Sequence, residues 1–140
     1  MFKEILLPLD FEHQDLYAQV VESALRLCHP EGRIHLLYVN PSRVHHAAAP
    51  FYSEELLKKQ DQAIRDRLEE FMQHHIPAEH RGRLETRHGV VYDTILARAK
   101  KLAVNLIIMP ASRPGAETYL LGSNSSKVVR HADCAVLVVR

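Results

Sequence analysis

The stretch of this sequence best suited to hold an anion is Gly122-Ser123-Asn124-Ser125. Glycine lets a backbone approach a ligand closely, and the residues after it can open a helix whose unpaired N–H groups and positive dipole end favour phosphate. The hydroxyls of Ser123 and Ser125 would add donors. The same residues also read as a plain helix N-cap, a role that serine fills with no ligand present. A second candidate is Asp10, a carboxylate placed where the apolar run Ile5-Leu6-Leu7-Pro8-Leu9 ends. Aspartate is equally common as a turn residue at such an exit.

Other chemistries are poorly supplied. Among the 10 histidines, His45-His46 and His74-His75 are adjacent pairs. Adjacent positions do not converge on one ion as i, i+4 pairs can, so surface histidines are expected and no metal site built of protein ligands. Ser123 lies in Gly-Ser-Asn-Ser rather than Gly-x-Ser-x-Gly, and no spacing marks a His or Asp partner, which argues against a serine hydrolase. Cys28 and Cys134 stand far apart in no Cys-x-x-Cys pattern, so packed, reduced thiols are expected rather than a disulfide, a zinc site or a redox centre.

Charge and length narrow the class further. With 17 Asp plus Glu against 18 Lys plus Arg, no net field favours nucleic acid or anionic lipid. The longest apolar stretches fall short of the roughly 18 residues that cross a bilayer, and Met1 to Asp10 carries no signal-peptide pattern. A cytoplasmic protein is expected, with no membrane and no nucleic acid among its partners. At 140 residues the chain should form one domain, residues 1–140, around one core.

The elements that must position these residues follow from hydrophobic periodicity. Ile5 to Asp10 reads as a strand buried on both faces. Leu16, Val20, Ala24, Leu27 and Cys28 recur at helical spacing until Pro30 and Gly32 stop the pattern. A second strand spans Ile34 to Val39, followed by an aperiodic loop from Asn40 to Pro50. Ser53 opens a helix with Leu57, Ile64, Leu68, Phe71 and Met72 on one face, ended by Pro77, while its charged face is solvated. Leu84 to His88 alternates, with Leu84, Thr86 and His88 set against Glu85 and Arg87, which suggests a half-exposed edge strand.

After Gly89 a helix carries Val91, Ile95, Ala99 and Leu102. Asn105 to Met109 is a fourth strand, a loop with Pro110, Ser112, Pro114 and Gly115 leads to a short helix through Val128 and Val129, and Ala135 to Val139 is the fifth strand. The βαβαβαβαβ order calls for an α/β fold with a parallel sheet, helices on both faces and strand order 3-2-1-4-5. Strands 1 and 4 then meet where the winding reverses, the usual place for a ligand in such sheets.

Three stretches carry a resemblance. Leu7-Pro8-Leu9-Asp10, His35-Leu36-Leu37-Tyr38-Val39, and the long run from Tyr119-Leu120-Leu121-Gly122-Ser123 to Val138-Val139 are similar to the universal stress proteins, over essentially the whole chain. The resemblance implies a flavodoxin-like, adenine nucleotide alpha hydrolase-like five-stranded sheet whose nucleotide-binding members hold ATP. It would place Pro8, Leu9 and Asp10 beside the adenosine, with Asp10 near the ribose or a nucleotide-bound Mg²⁺. Val39 would meet the adenine through its backbone, Met109 and Pro110 would close the pocket, and Gly122, Ser123, Asn124 and Ser125 would form the phosphate turn.

The loop before that turn departs from the family pattern. ATP-binding members carry Gly-x-x-Gly, nine residues, then Gly-Ser or Gly-Thr. Here the two glycines fall on Met109 and Ser112 in one register and on Pro110 and Arg113 in the other. Pro110 also has no N–H to offer an anion. Arg113, in a Ser-x-Pro setting with Ser112 beside it, could contact phosphate directly in place of the lost donors.

The expected function is a stress-response protein that binds ATP, with ADP or AMP as related ligands, and alters its loops at Asn40 to Pro50 and Arg113 to Leu121 to change its protein contacts. No residue is evident as a base for water, so no enzyme activity beyond slow hydrolysis is expected. The alternative is an interaction module of the same family that binds no nucleotide. An adenylate-transferring enzyme of related fold is disfavoured, because no substrate domain accompanies the crevice. The β-branched strand Ala135, Val136, Leu137, Val138 and Val139 would form an exposed edge, and pairing with a second copy, the family's usual mode, would cover it. A homodimer is expected.

Overall fold

The computed structural model describes residues 1–11, 14–41, 53–111 and 122–140. Five parallel strands form one sheet in the order β3-β2-β1-β4-β5: β1 (Phe2–Pro8), β2 (Cys28–Asn40), β3 (Arg81–His88), β4 (Leu106–Pro110) and β5 (Ala135–Val139). Among the described residues four α-helices connect them: α1 (Tyr17–Leu27), α2 (Glu54–His75), α3 (Val91–Lys101) and α4 (Ser123–His131). The expected strand order and element order are both present. Most of the two expected loops, residues 42–50 and 113–121, lies outside the described residues.

The continuous apolar strands are explained by burial on both sides. Ile5 and Leu7 pack with Ile34, Leu36, Val20, Ala24, Leu68 and Met72 under α1 and α2. Leu6 points the other way and packs with Leu37, Val39, Ile95, Ile107, Met109 and Val128 under α3 and α4. Ile5, Leu6 and Leu7 are fully buried. Each contributes roughly 1.5–3 kcal/mol by leaving water, which is what selects the parallel, two-sided arrangement over a half-solvated one. Among the described residues no helix is long and apolar enough to cross a membrane.

Two segments differ from the sequence expectation. Cys28 begins β2 instead of closing the first helix, and Pro30 and Gly32 lie inside the strand instead of before it. While β1 advances from Phe2 to Glu4, β2 advances from Cys28 to Arg33, so a bulge absorbs the extra residues and accommodates the proline. Gly32 permits this close path, since a Cβ there would stand 2.7 Å from Cys28 Sγ and 2.9 Å from Phe2 O.

The second difference is in β3, where Glu85 is only 7% exposed although the alternation sets it with Arg87 on the charged side of a half-exposed strand. Arg98 on α3 donates through Nη2 to Glu85 Oε1 at 2.9 Å, and its Nε lies 2.7 Å from Oε2 as an ion-pair contact without hydrogen-bond alignment. Arg87 Nη2 also lies 2.7 Å from Oε2. Burial alone would raise this carboxyl. The bond from Arg98 and the charges of Arg87, Arg98 and Arg83 more than offset it, so the pKa is lowered. Alternation failed here because paired charges can replace an apolar contact.

Helix ends follow local chemistry. Ser53 caps α2 by accepting from Leu56 N at 3.1 Å, as its position before Leu56 suggests, and Pro77 follows the helix. Gly122 rather than a serine is the N-cap of α4, and no side chain caps that end.

Candidate functional site

The crevice opens where the sheet reverses its winding, between β1 and β4. Two prolines open it. Leu9 N–H donates to Leu37 O on β2 at 2.8 Å, so the alternation of backbone groups along a strand turns Pro8 toward β4. Ala111 N–H donates to Val139 O on β5 at 2.8 Å, which turns Pro110 toward β1. Each proline therefore sets a missing N–H in the seam. Pairing of β1 with β4 covers only Ile5↔Leu106 and Leu6↔Ile107, whereas β1 stays paired to β2 through Pro8↔Leu37 and β4 to β5 through Pro110↔Val139. The seam is unzipped at its carboxyl end while both outer ladders stay closed.

Around this opening the fold gathers most of the residues expected there. Pro8 is half-buried, Leu9 is buried, and Asp10 is exposed where β1 exits. Val39 and Met109 are buried in the same cluster, beneath the ends of β2 and β4. Pro110 is half-buried at the seam. Ser112 and Arg113 lie outside the described residues.

Two bonds tie the helix end to the seam, and a third closes its first turn. Gly122 N–H donates to Ala111 O at 2.5 Å, Ser125 Oγ donates to Pro110 O at 2.7 Å, and Ser126 N–H donates to Gly122 O at 2.9 Å. Ser125 is buried and its hydroxyl proton is committed to Pro110, the carbonyl that the open seam leaves without a strand partner. That leaves the exposed Ser123 hydroxyl and the N–H groups of Ser123, Asn124 and Ser125, which helix geometry leaves without an acceptor inside the helix. No acidic residue stands in the first turn of α4, and Arg130 and His131 occupy the last. The end that faces the seam is electropositive through its dipole and uncapped by any side chain, an arrangement that can receive an anion.

For a metal the side chains offer less. Among the described residues no group of three or more His, Cys, Asp or Glu could hold an ion. Asp10 is the carboxylate that β1 delivers to the opening.

Residues behind Asp10 were not singled out from the sequence. Phe11 has φ 59°, its ring stacks on Tyr38 at 5.4 Å, the Arg67 guanidinium lies 3.9 Å from its centroid, and its N–H donates to Tyr17 Oη. The bulky residue directly after a strand-end aspartate was the feature that could have pointed there. Phe11, Tyr17 and Arg67 also border a groove of about 770 Å³ between α1 and α2. Its size does not make it the ligand site, because it holds neither the helix end nor the open seam.

Comparison with known proteins agrees with this architecture. The Universal stress protein family model matches residues 1–140. Universal stress protein G of Shigella flexneri is 34% identical over 145 residues, an alignment covering all of both chains. The structure of universal stress protein UspA from Lactobacillus plantarum superimposes with a TM-score of 0.75 at 26% identity, over 100% of this chain and 99% of that one. A universal stress protein solved in complex with cAMP shares the fold at a TM-score of 0.57 and 18% identity, over 99% and 97% of the two chains. The chain belongs to the universal stress protein family.

Proposed function

We propose that this protein binds an adenine nucleotide, ATP in the first instance, in the crevice between β1 and β4, and acts in the cytoplasm through nucleotide-dependent protein contacts. The observation that carries the reading is the uncapped end of α4, fixed beside a seam that Pro8 and Pro110 hold open. The N–H groups at Ser123 to Ser125 and the Ser123 hydroxyl would hold the phosphates. Pro8, Leu9 and the Val39 backbone would line the adenosine, with Met109 and Pro110 closing it, Asp10 at the ribose or cation, and Ser112 and Arg113 adding phosphate contacts. A Mg²⁺ would arrive bound to the phosphates rather than to a protein cage. A relative of this fold solved with cAMP makes a nucleotide-class ligand chemically reasonable for the scaffold. Hydrolysis, if measured, should be slow.

The competing reading, an interaction module without nucleotide, is favoured by one observation. Gly122 N–H and Ser125 Oγ, two donors of the phosphate turn, are taken by Ala111 and Pro110. Titration calorimetry with ATP and Mg²⁺ separates the two. Binding at or below millimolar nucleotide is expected, and a Ser123→Glu substitution should weaken it at least about tenfold while keeping the helix, because a carboxylate there suits the dipole but repels phosphate. Folded wild-type protein giving no heat at millimolar ATP would remove the nucleotide reading.

A further inference from the structure

Asp10 is held from both sides. Leu9, before it, is tied to β2 through the bond from its N–H to Leu37 O. Phe11, after it, is tied to three other elements: its N–H donates to Tyr17 Oη on α1, its ring stacks on Tyr38 of β2 with an interplanar angle of 23°, and the Arg67 guanidinium of α2 lies over the same ring at 3.9 Å from the centroid. Tyr17 is itself buried and packs edge-on against Phe71 of α2 at 5.3 Å. Phe11 adopts φ 59°, a left-handed conformation that a bulky side chain seldom takes unless its surroundings enforce it. That turn, with the bond from Phe11 N–H to Tyr17, fixes the peptide that joins Asp10 to Phe11.

We propose that Phe11, held by Tyr38 and Arg67, is a positioning residue that fixes Asp10 at the mouth of the crevice and so makes nucleotide affinity depend on α2. This rests on the nucleotide reading above and extends it, since Arg67 lies on a helix that contributes none of the residues assigned to the ligand. The cation over the ring face supplies an attraction that Lys can partly replace and Ala cannot. By reciprocity, a nucleotide that grips Asp10 would tighten the Phe11 to Arg67 contact, and a partner seated against α2 would in turn alter nucleotide affinity.

Arg67 is exposed, so its replacement need not cost the fold. ATP with Mg²⁺ is titrated into wild type, Arg67→Ala and Arg67→Lys, the thermal midpoint of each is recorded, and the backbone amide resonances of Leu9, Asp10 and Phe11 are followed without ligand. Arg67→Ala should bind ATP about five- to tenfold more weakly with little change in midpoint and with the Asp10 resonance displaced, and Arg67→Lys should restore most of both. Unchanged affinity in Arg67→Ala overturns the inference while leaving the nucleotide reading intact. If wild type binds no ATP, the nucleotide reading fails, and the positioning role is then judged on the resonances: an Asp10 amide that stays in place in Arg67→Ala overturns it, and one that moves and returns in Arg67→Lys supports it.

Discussion

Tyr17 shows how one side chain links the core to the crevice. Its ring is 8% exposed, and its oxygen receives the Phe11 N–H. Burial pushes the phenol pKa up to about 12, with the Asp10 charge adding to the rise and the Phe11 and Asp10 backbone donors and Arg67 opposing it. The unfolded chain should lose this proton near pH 10, so above that pH the folded state holds more protons and stability falls as pH rises. Stability is complete below about pH 10 and declines toward 12. Between pH 8 and pH 11 the loss should be roughly 1.4 kcal/mol in urea unfolding. Tyr17→Phe should lack that component, and a variant with the same alkaline slope as wild type would show that Tyr17 is not its source. Neither this anchor nor the opposed prolines could be read in full from the sequence. Pro110 was visible as a missing donor, but only the bonds from Leu9 and Ala111 show that Pro8 and Pro110 both face the seam.

At the scale of elements, the apolar runs of β1 and β4, the periodic faces of α2 and α3 and the Ser53 cap were legible because each is a local pattern with one packing solution. The start of β2 and the inner face of β3 were not, because both depend on contacts made across the fold. Glu85 is the clearest case: its burial requires Arg98, 13 residues away on α3. Breaking a buried pair strands the remaining charge, at a cost of about 3–5 kcal/mol when no other partner remains. Arg87 still contacts Glu85, so Arg98→Ala should destabilise by roughly 2 kcal/mol. Adding Glu85→Leu should recover most of that loss, since an apolar side chain among apolar neighbours leaves no charge to satisfy. Losses in the double variant equal to the sum of the two single losses would mean that the pair is not coupled.

For the whole molecule the two free edges of the sheet are unlike, and that difference bears on assembly. The β3 edge carries Arg81, Arg83 and Arg87, charges that discourage another strand from pairing. The β5 edge is Ala135-Val136-Leu137-Val138-Val139, part-exposed to exposed, with no strand beyond it among the described residues. Head-to-tail stacking of β5 on a neighbour's β3 is therefore disfavoured, and the closed alternative is β5 against β5 about a two-fold axis. The bond from Ala111 N–H to Val139 O turns the Val139 backbone toward β4, so alternation turns the Val138 N–H outward. Val138→Pro would then remove a donor from the dimer edge and none from the β4 ladder, a change that an edge strand tolerates. In light scattering at micromolar concentration the wild type should have twice the mass of one chain and Val138→Pro the mass of one, with thermal unfolding still cooperative. A monomeric wild type would exclude the dimer, and a dimeric Val138→Pro would move the interface away from β5.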